Sequence, residues 1–281
     1  MAPTFDTISF LSDYGLDDEF VGVVKAVVRA IAPHATVLDL THQVPAHDVR
    51  AGSLALVRSM QYLPPGVVLA VVDPGVGSAR RAVAVEVGDP DAGADGDGGG
   101  ATSVLVGPDN GLLAPAVAMV GGARRAVSLT ATAYHLDAPG PTFAGRDVFG
   151  PVAAYLCAGV PLDDLGEAVD PATLVPGVIP LSRTEDGGLE AEVLWVDRFG
   201  NAQLNVDPDD LAALGSPVVV RFGTRERSAV SVATFADLKA GEVGLLTDSY
   251  GLVAVALNRR SAASELGLGA GDPVRLEPSP G

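Results

Sequence analysis

The sequence predicts a two-domain protein: an N-terminal α/β domain with a mainly parallel central sheet, and a smaller C-terminal all-β domain of barrel-like form. In the first 160 residues, short β-rich runs alternate with helical patterns, as in α/β domains. Beyond about residue 190, strand-like runs follow one another with only turns between them. The 281 residues suffice for two domains of ordinary size. We assign residues 1–172 to the first domain, 173–189 to a linker and 190–281 to the second domain.

The α/β alternation is clearest in five consecutive segments of the first domain, TISFLS, FVGVVKAVVRAIA, TVLDL, VRAGSLALVRSM and VVLAVV. Strands of a parallel sheet need crossover helices, which the second and fourth segments can supply. In the first helical segment, apolar residues recur at three- and four-residue steps, a pattern that predicts one buried face. That predicted face consists of Phe20, Val24, Val27, Val28 and Ile31.

Two stretches of unusual composition interrupt these elements. The segment PATLVPGVIPLSRTEDGG carries three prolines and ends in Asp-Gly-Gly, which is typical of a linker. The segment GDPDAGADGDGGGA, residues 88–101, is rich in glycine and aspartate and predicts a mobile excursion between two strands. Beyond the linker, six runs predict the strands of the second domain: EAEVLWVD, NAQLNV, PVVVRFG, VGLLTD, GLVAVALN and PVRLEP.

The composition bounds the partners of the protein. With 35 acidic and 18 basic residues, the formal charge is −17, so the protein repels nucleic acid and anionic membranes, and we expect neither as a partner. The amino terminus has no basic stretch followed by a long apolar one, so we expect a cytoplasmic protein without a membrane span. The single cysteine, Cys157, lies in an apolar helical pattern and is predicted to be a buried core thiol.

The segment VVDPGVGSARRAV, residues 71–83, ends an apolar run in a glycine-rich turn that could hold a ligand. A phosphate is disfavoured, because the turn lacks the third glycine of a dinucleotide motif and Asp73 would repel an anion. A protein-bound metal is equally unsupported, and we expect none. The histidines show no metal-binding spacing: His34, His42, His47 and His135.

Three predicted strands of the first domain end in an acidic turn, at Asp13, Asp73 and Asp109. Ligands of parallel sheets collect beyond the carboxyl ends of the strands, so these carboxylates are expected to converge on one crevice. Asp13 is the candidate for a ribose diol, because a carboxylate offers two acceptor oxygens to two hydroxyls. The alternative is structural: Asp73 caps a turn, while Arg80 and Arg81 begin the next strand in solvent.

The second domain offers one candidate for nucleobase recognition. The segment VDRFGNAQLNV puts Asp197, Phe199 and Asn201 around a tight turn. The Asn201 amide could supply the donor and acceptor that read an adenine edge, and either Phe199 or Phe235 could offer a stacking face. Taken alone, the segment is more typical of a plain hairpin turn.

Eight segments in order resemble the S-adenosylmethionine hydroxide adenosyltransferases, a family similar to the bacterial fluorinase and chlorinase: FLSDYGLDD, DLTHQVPAHDV, VVDPGVGSARR, VGPDNGLL, PTFAGRDVFGPVAA, VDRFGNAQLN, TFAD and TDSYGLVAVALNRRSAASELG. The resemblance runs from about residue 8 to 275. It implies an α/β domain followed by a β domain, in a homotrimer whose substrate lies between the first domain of one subunit and the second domain of its neighbour. The implied reaction converts S-adenosylmethionine and water into adenosine and L-methionine without a metal or other cofactor.

The resemblance also implies roles for individual residues. Asp13 matches the carboxylate that holds the ribose hydroxyls, and Asp73 and Arg80 match two of the three members of a catalytic Asp, Arg and His set. Two further groups follow by position: Asp18, Asp197 and Ser249 for the methionine amine and carboxylate, and Asn201, Phe235 and the backbone near Asn258 and Arg259 for adenine.

Residue types at the implied nucleophile site favour water over a halide. The carboxylate of Asp73 would repel a bound halide, whereas it can accept a hydrogen bond from water. Val76 and Gly145 stand where the fluorinase carries hydroxyl side chains, so they offer no donors for fluoride. Hydrolysis is therefore expected rather than halogenation.

One residue departs from the family pattern. The hydrolases read F-H-G-R-D where this chain has Ala144 between Phe143 and Gly145, so the third catalytic member is a methyl group. The loss of a positioned acid–base group typically costs about 100- to 10,000-fold in rate, so we expect a weakened enzyme, diverged or engineered. Two alternatives are open: a nearby histidine such as His135 substitutes, or the protein binds S-adenosylmethionine or adenosine without turnover.

Overall fold

The structure, a computed structural model, describes residues 5–88 and 102–279. The glycine- and aspartate-rich segment expected to be mobile lies almost entirely outside the described residues. The chain divides into two compact units, Met1–Val178 and Ile179–Gly281. Below, these are called the α/β unit and the barrel unit. Across the described ranges, no helix is long and apolar enough to cross a membrane.

The α/β unit contains one seven-stranded sheet with helices on both faces, as predicted. Its strands are β1 (Thr7–Ser12), β2 (Thr36–Thr41), β3 (Val67–Val71), β4 (Ala82–Val87), β5 (Ser103–Pro108), β6 (Ala123–Ser128) and β7 (Glu167–Val169). Its helices are α1 (Phe20–Ile31), α2 (Val49–Met60), α3 (Ala114–Met119) and α4 (Gly150–Cys157). A single π-helical turn, Gly145–Phe149, leads directly into α4.

The sheet has the strand order β2-β1-β3-β5-β4-β6-β7. The first four strands in this order pair in parallel, and β4 is then inserted antiparallel between β5 and β6. The carboxyl ends of β1, β3 and β5 therefore share one edge of the sheet. This is the edge at which α/β proteins hold their ligands.

Two apolar layers cover the two faces of this sheet. In β1, Ile8 and Phe10 point into the layer formed with α1 and α4, whereas Leu11 points into the layer formed with α2 and α3. Alternation along a strand thus serves both faces, which is why the strand is almost continuously buried. Cys157 is fully buried, as predicted, and burial raises the pKa of its thiol to about 12.

The buried face of α1 matches the prediction only in part, since Val27 and Ile31 are half-buried. Val24 and Val28 are buried as predicted, but Val21 completes the face, and the ring of Phe20 remains partly exposed. Phe20 is the first residue of the helix, and its ring packs against the rings of Tyr14 and Phe143 instead of the sheet. The prediction for Phe20 was therefore wrong, because the helix start places this ring beside a loop.

The barrel unit is a closed barrel of seven strands with an eighth strand attached, which confirms the barrel-like domain. Its strands are β8 (Arg183–Glu185), β9 (Gly188–Val196), β10 (Ala202–Leu204), β11 (Val218–Phe222), β12 (Arg225–Ser231), β13 (Val243–Thr247), β14 (Val253–Leu257) and β15 (Pro273–Pro278). Two short helices complete it, α5 (Pro208–Ala212) and α6 (Ala262–Leu266). The barrel closes where β10 pairs with β9 on one side and β14 on the other.

Two features of this unit were not anticipated. The strand β8 lies inside the segment that we expected to be linker, where it pairs with β9 through Arg183 and Glu190. The strand β12 was missed altogether, because its first four residues are exposed and charged or polar and show no alternation of apolar and polar side chains.

Candidate active site

The glycine-rich turn after β3 holds an ion pair. Arg80 Nε donates to Asp73 Oδ1 at 2.7 Å, and its Nη2 donates to Oδ2, so the two side chains pair through two parallel bonds. The side chains are only 6% exposed at Asp73 and 15% at Arg80. Arg80 Nη1 donates to the carbonyl of Arg81, so every guanidinium nitrogen is engaged. The alternative in which Arg80 lies in solvent was therefore wrong.

The turn itself has a defined backbone. The hydroxyl of Ser78 donates to the carbonyl of Gly75 at 2.6 Å and accepts from the N–H of Arg80. Gly77 adopts a φ of +76°, a conformation that favours glycine, and a Cβ there would press on the carbonyl of Pro141 at 3.1 Å. The turn is thus fixed against the loop that precedes Ala144.

The end of β1 is held by the segment around His42. The N–H of His47 donates to Asp13 Oδ2 at 2.9 Å, and the N–H of Gly15 donates to the carbonyl of His42 at 2.7 Å. One carboxylate oxygen of Asp13, the predicted ribose ligand, has no protein donor among the described residues. These bonds fix the position of the carboxylate and leave it room for a ligand.

A chain of three side chains supports this strand end. His42 Nδ1 lies 2.8 Å from Ser12 Oγ, and His42 Nε2 lies 3.1 Å from Asp39 Oδ1. The arrangement has the composition of a hydrolytic triad, but Ser12 is fully buried and cannot reach a substrate. The chain therefore has a structural role in holding β1. Sequence reasoning missed it because Ser12 lies 30 residues before His42 in the chain.

Tyr14 was also missed. Its ring packs edge-on against Phe143, with 5.5 Å between ring centroids, and its hydroxyl lies against the backbone of Gly145. Burial raises the pKa of Tyr14 far above its ordinary value, and the carboxylates of Asp13 and Asp73 raise that pKa further. The phenol therefore lies close to both carboxylates and stays protonated at neutral pH.

Ala144 immediately precedes the π-helical turn and is half-buried against the apolar layer of the α/β unit. At the other end of that turn, Phe149 lies under the guanidinium of Arg80, 5.1 Å from its carbon atom to the ring centroid. The residue where the family pattern has histidine is thus in a segment that packs on the Asp73–Arg80 pair. His135 is half-buried, burial lowers its pKa, and its Nε2 makes no hydrogen bond.

Asp109 does not join the other two acidic strand ends, so the predicted three-carboxylate crevice was wrong for this residue. Arg81 Nε donates to Asp109 Oδ2 at 2.8 Å, and the N–H of Val175 donates to Oδ1 at 2.8 Å. Both carboxylate oxygens are thereby used in contacts that hold the C-terminal end of the α/β unit. Asp18 is exposed in the segment before α1.

The barrel unit contains a cavity of about 1180 Å³. The structure brings together at this cavity every residue of the unit that we singled out: Asp197, Phe199, Asn201, Phe235, Ser249, Asn258 and Arg259. Phe199 and Phe235 present exposed aromatic faces, at 78% and 46% exposure. Such a cavity, with aromatic walls and a few fixed polar groups, suits a small organic ligand.

The turn beside this cavity is tied by Asp197. Its Oδ1 accepts from the N–H groups of Phe199 and Asn201, and its Oδ2 accepts from Asn201 Nδ2 at 2.7 Å. The second amide hydrogen and the amide oxygen of Asn201 are left for a ligand. Asn258 is anchored separately, because its Nδ2 donates to the carbonyl of Leu238 at 2.9 Å.

Sequence reasoning missed a second set of polar and aromatic groups in the cavity wall. Gln203 is buried, and its Nε2 donates to Asp248 Oδ2 at 2.5 Å. The rings of Trp195 and Tyr250 meet edge to face, 6.3 Å apart. Alternation in β10 puts Ala202 and Leu204 in the barrel core and Gln203 on the opposite face, where its polarity indicated a solvent-exposed position. Within the described ranges, no group of three or more His, Cys, Asp or Glu side chains could hold a metal ion.

The fold and these two polar sites define an α/β protein with an appended barrel. Family models for the N- and C-terminal domains of SAM hydroxide adenosyltransferase match residues 8–166 and 191–275. A protein of Salinispora tropica named (R)-S-adenosyl-L-methionine hydrolase is 47% identical over 279 residues, covering 98% of this chain and 99% of that protein. A fluorinase of an Actinoplanes species is 30% identical, covering 94% and 95%.

Among solved structures, the crystal structure of an uncharacterized conserved protein from Thermotoga maritima matches with a TM-score of 0.84 and 34% identity. The match covers 96% of this chain and 99% of that one. The chain belongs to the SAM hydroxide adenosyltransferase family, which confirms the family predicted from the eight ordered segments.

Proposed function

We propose that the protein hydrolyses S-adenosyl-L-methionine to adenosine and L-methionine. The observation that carries this proposal is the covered Asp73–Arg80 pair, held in a rigid turn next to Asp13 at the ligand edge of the sheet. The relative from Salinispora tropica, named a hydrolase of this substrate, supports the same reaction. The reaction involves neither a metal nor a redox cofactor.

The chemistry needs little more than positioning. Water attacks C5′, a C–O bond forms, and the C5′–S bond breaks with its electron pair passing to sulfur, which leaves as a neutral thioether. The water proton passes to Asp73, and Arg80 keeps that carboxylate in place. Placing a partly desolvated nucleophile in line with a good leaving group supplies much of the acceleration.

Substrate binding is assigned to both units. Asp13 would accept from the two ribose hydroxyls, and Asn201 and Phe235 would recognise adenine, with the backbone at Asn258 and Arg259 nearby. Asp18, Asp197 and Ser249 would hold the amino-acid end. We further propose a homotrimer, with substrate between the first domain of one subunit and the second domain of its neighbour. The family resemblance is the support for this assembly.

Hydrolysis is favoured over halogenation by the charge at the nucleophile position. A halide beside Asp73 would meet a carboxylate whose oxygens face it, with only one guanidinium to offset the repulsion. The fluorinase relative is also less similar than the hydrolase relative, at 30% against 47% identity. A halogenase would instead release 5′-halo-5′-deoxyadenosine in the presence of chloride or fluoride.

Ala144 favours a second candidate function, a binder of S-adenosylmethionine or adenosine without turnover. No imidazole is available at this position to relay a proton or orient water, and we propose that turnover is weakened for this reason. A binder and a weakened enzyme differ in their response to a restored histidine. Only the enzyme gains rate.

The test is chromatographic detection of adenosine after incubation with S-adenosyl-L-methionine, using the wild type and Ala144→His. We expect adenosine from both, with a kcat about 100-fold higher or more in the variant. Ala212→His is the matched control, because it adds an imidazole at an exposed helix position that does not line the cavity. Ligand binding without adenosine from either protein would identify a binder and refute hydrolysis.

A further inference from the structure

The hydroxyl of Tyr14 occupies a position that the local backbone is built to receive. It lies against Gly145, and a Cβ at residue 145 would overlap the phenol oxygen. The ring is held by Phe20 and Phe143, with centroid distances of 5.8 and 5.5 Å. Glycine at 145 thus lets the phenol approach the start of the π-helical turn, and the aromatic neighbours fix where the hydroxyl points.

The same π-helical turn contacts the Asp73–Arg80 pair. Its first residue, Gly145, meets Tyr14, and its last, Phe149, lies under the Arg80 guanidinium at 5.1 Å. The phenol and the ion pair therefore lie against one short segment, and Ala144 is the residue directly before it. The Tyr14 hydroxyl therefore lies near the space that a longer side chain at residue 144 would enter.

The phenol has a proton to give. Its oxygen lies beside the backbone of Gly145, and no described side chain or carbonyl accepts the O–H. Because burial and the carboxylates of Asp13 and Asp73 raise its pKa, the group is a donor over the whole neutral range. A buried donor beside a carboxylate, with no protein acceptor, is suited to a bound water.

We propose that Tyr14 is a catalytic residue of this chain, whose hydroxyl donates a hydrogen bond to the attacking water. It orients this water in place of the imidazole that the family pattern has at residue 144. The inference rests on the proposed hydrolysis. Water then donates one hydrogen to Asp73, accepts from the Tyr14 hydroxyl with one lone pair and attacks C5′ with the other. The phenol proton stays on Tyr14 throughout, and the proton released goes to Asp73.

The first test is Tyr14→Phe, which removes one oxygen and keeps the ring packing. We expect kcat to fall about 10- to 100-fold, since a single positioned donor is lost, with little change in KM. Tyr155→Phe is the matched control, because it removes a phenol oxygen from another ring pair of the same unit, Tyr134 and Tyr155. Equal kcat in wild type and Tyr14→Phe, with both folded, would overturn the inference.

The second test repeats Tyr14→Phe in the Ala144→His background. If the phenol stands in for the imidazole, the loss from Tyr14→Phe is smaller when histidine is present, and a double-mutant cycle gives the coupling. If Tyr14→Phe causes the same loss of kcat in both backgrounds, Tyr14 does not stand in for the imidazole. Adenosine from Ala144→His but none from the wild type also overturns it, while leaving the proposed hydrolysis intact.

A crystal structure gives a readout that does not need turnover. We expect a water within hydrogen-bond distance of both Tyr14 Oη and Asp73 in the wild type, and its loss or displacement in Tyr14→Phe. If neither the wild type nor Ala144→His forms adenosine, the proposed function and the catalytic role of Tyr14 fail together, whereas adenosine formation without this water refutes the inference alone. Absence of the water from the wild type refutes it.

Discussion

The α/β unit and the barrel unit treat their polar groups in opposite ways. In the α/β unit, Asp73 and Arg80 form an ion pair that is largely shielded from solvent. Their turn is fixed by the positive φ of Gly77 and by the Ser78 hydroxyl. In the barrel unit, polar groups and exposed aromatic faces line an open cavity of about 1180 Å³. This contrast matches the proposed division: chemistry needs groups held to a fraction of an ångström, whereas recognition needs surface left free for a ligand.

The largest effect is expected from a substitution that breaks the Asp73–Arg80 ion pair. Asp73→Asn removes the carboxylate that takes the water proton, so we expect kcat for adenosine formation to fall about 100- to 10,000-fold. Calorimetric affinity for S-adenosyl-L-methionine should change far less, because the cavity residues of the barrel unit are untouched. An equal loss of affinity would show that Asp73 serves binding and would remove the contrast between the units.

Asp109 provides a matched control for Asp73. Each carboxylate follows a neighbouring parallel strand and pairs with the adjacent arginines, Arg80 and Arg81, and the Asp109 side chain is only 4% exposed. Asp109→Asn should leave kcat unchanged and lower the free energy of unfolding by about 3 kcal/mol, the low end for a broken buried pair because Arg81 is 35% exposed. Chemical denaturation measures it. A large loss of kcat in a folded Asp109→Asn protein contradicts the assignment.

An effect of intermediate size is expected from truncating the aromatic side chains that line the barrel cavity. Phe235→Ala should weaken substrate binding by about 1–3 kcal/mol, the usual worth of base stacking, and raise KM with kcat nearly unchanged. Phe199→Ala, measured beside it, decides which ring stacks. Leu181→Ala is the control, since it truncates an exposed apolar side chain of the same unit away from the cavity. A fall in kcat without a rise in KM contradicts a stacking role.

The smallest expected effect concerns acid stability. Burial lowers the pKa of His135 below its ordinary value of 6.5, so the unfolded chain binds a proton at a pH where the folded one does not. Stability is therefore full above pH 6.5 and falls as the pH drops through the folded-state pKa. His135→Gln should remove part of this loss in melting curves between pH 7 and 5. An identical pH dependence in both proteins contradicts it.

Much of the fold follows from local pattern. Helices α1 and α2 and strands β1 and β3 lie where the periodicity predicts them, because each buries one or two faces with a regular repeat. The edge strand β2 also lies where it is predicted, although none of its residues is fully buried. Strand β12 escaped prediction, since its exposed charged residues carry no such repeat. The end of the predicted α1 face failed at Phe20, where ring contacts with a distant loop outweighed the helical pattern.

The site was predictable to a similar degree. Motif order and composition singled out the residues that line the barrel cavity and the Asp73–Arg80 turn, because acidic strand ends and aromatic turns carry a local signal. No such local signal marks Tyr14, Gln203 or the Ser12–His42–Asp39 chain. Their meaning depends on partners far away in the sequence.

By itself, the sequence determined the α/β-plus-barrel architecture, the family and the residue types available for chemistry, because periodicity and ordered motifs are properties of neighbouring residues. Only the tertiary structure decided how similar residues divide in role: Asp73 with Arg80 at the turn beside Tyr14, and Asp109 with Arg81 as a structural fastening. The physical reason is that the environment of a charge is set by the groups folded around it, and these come from segments that the chain joins only in three dimensions.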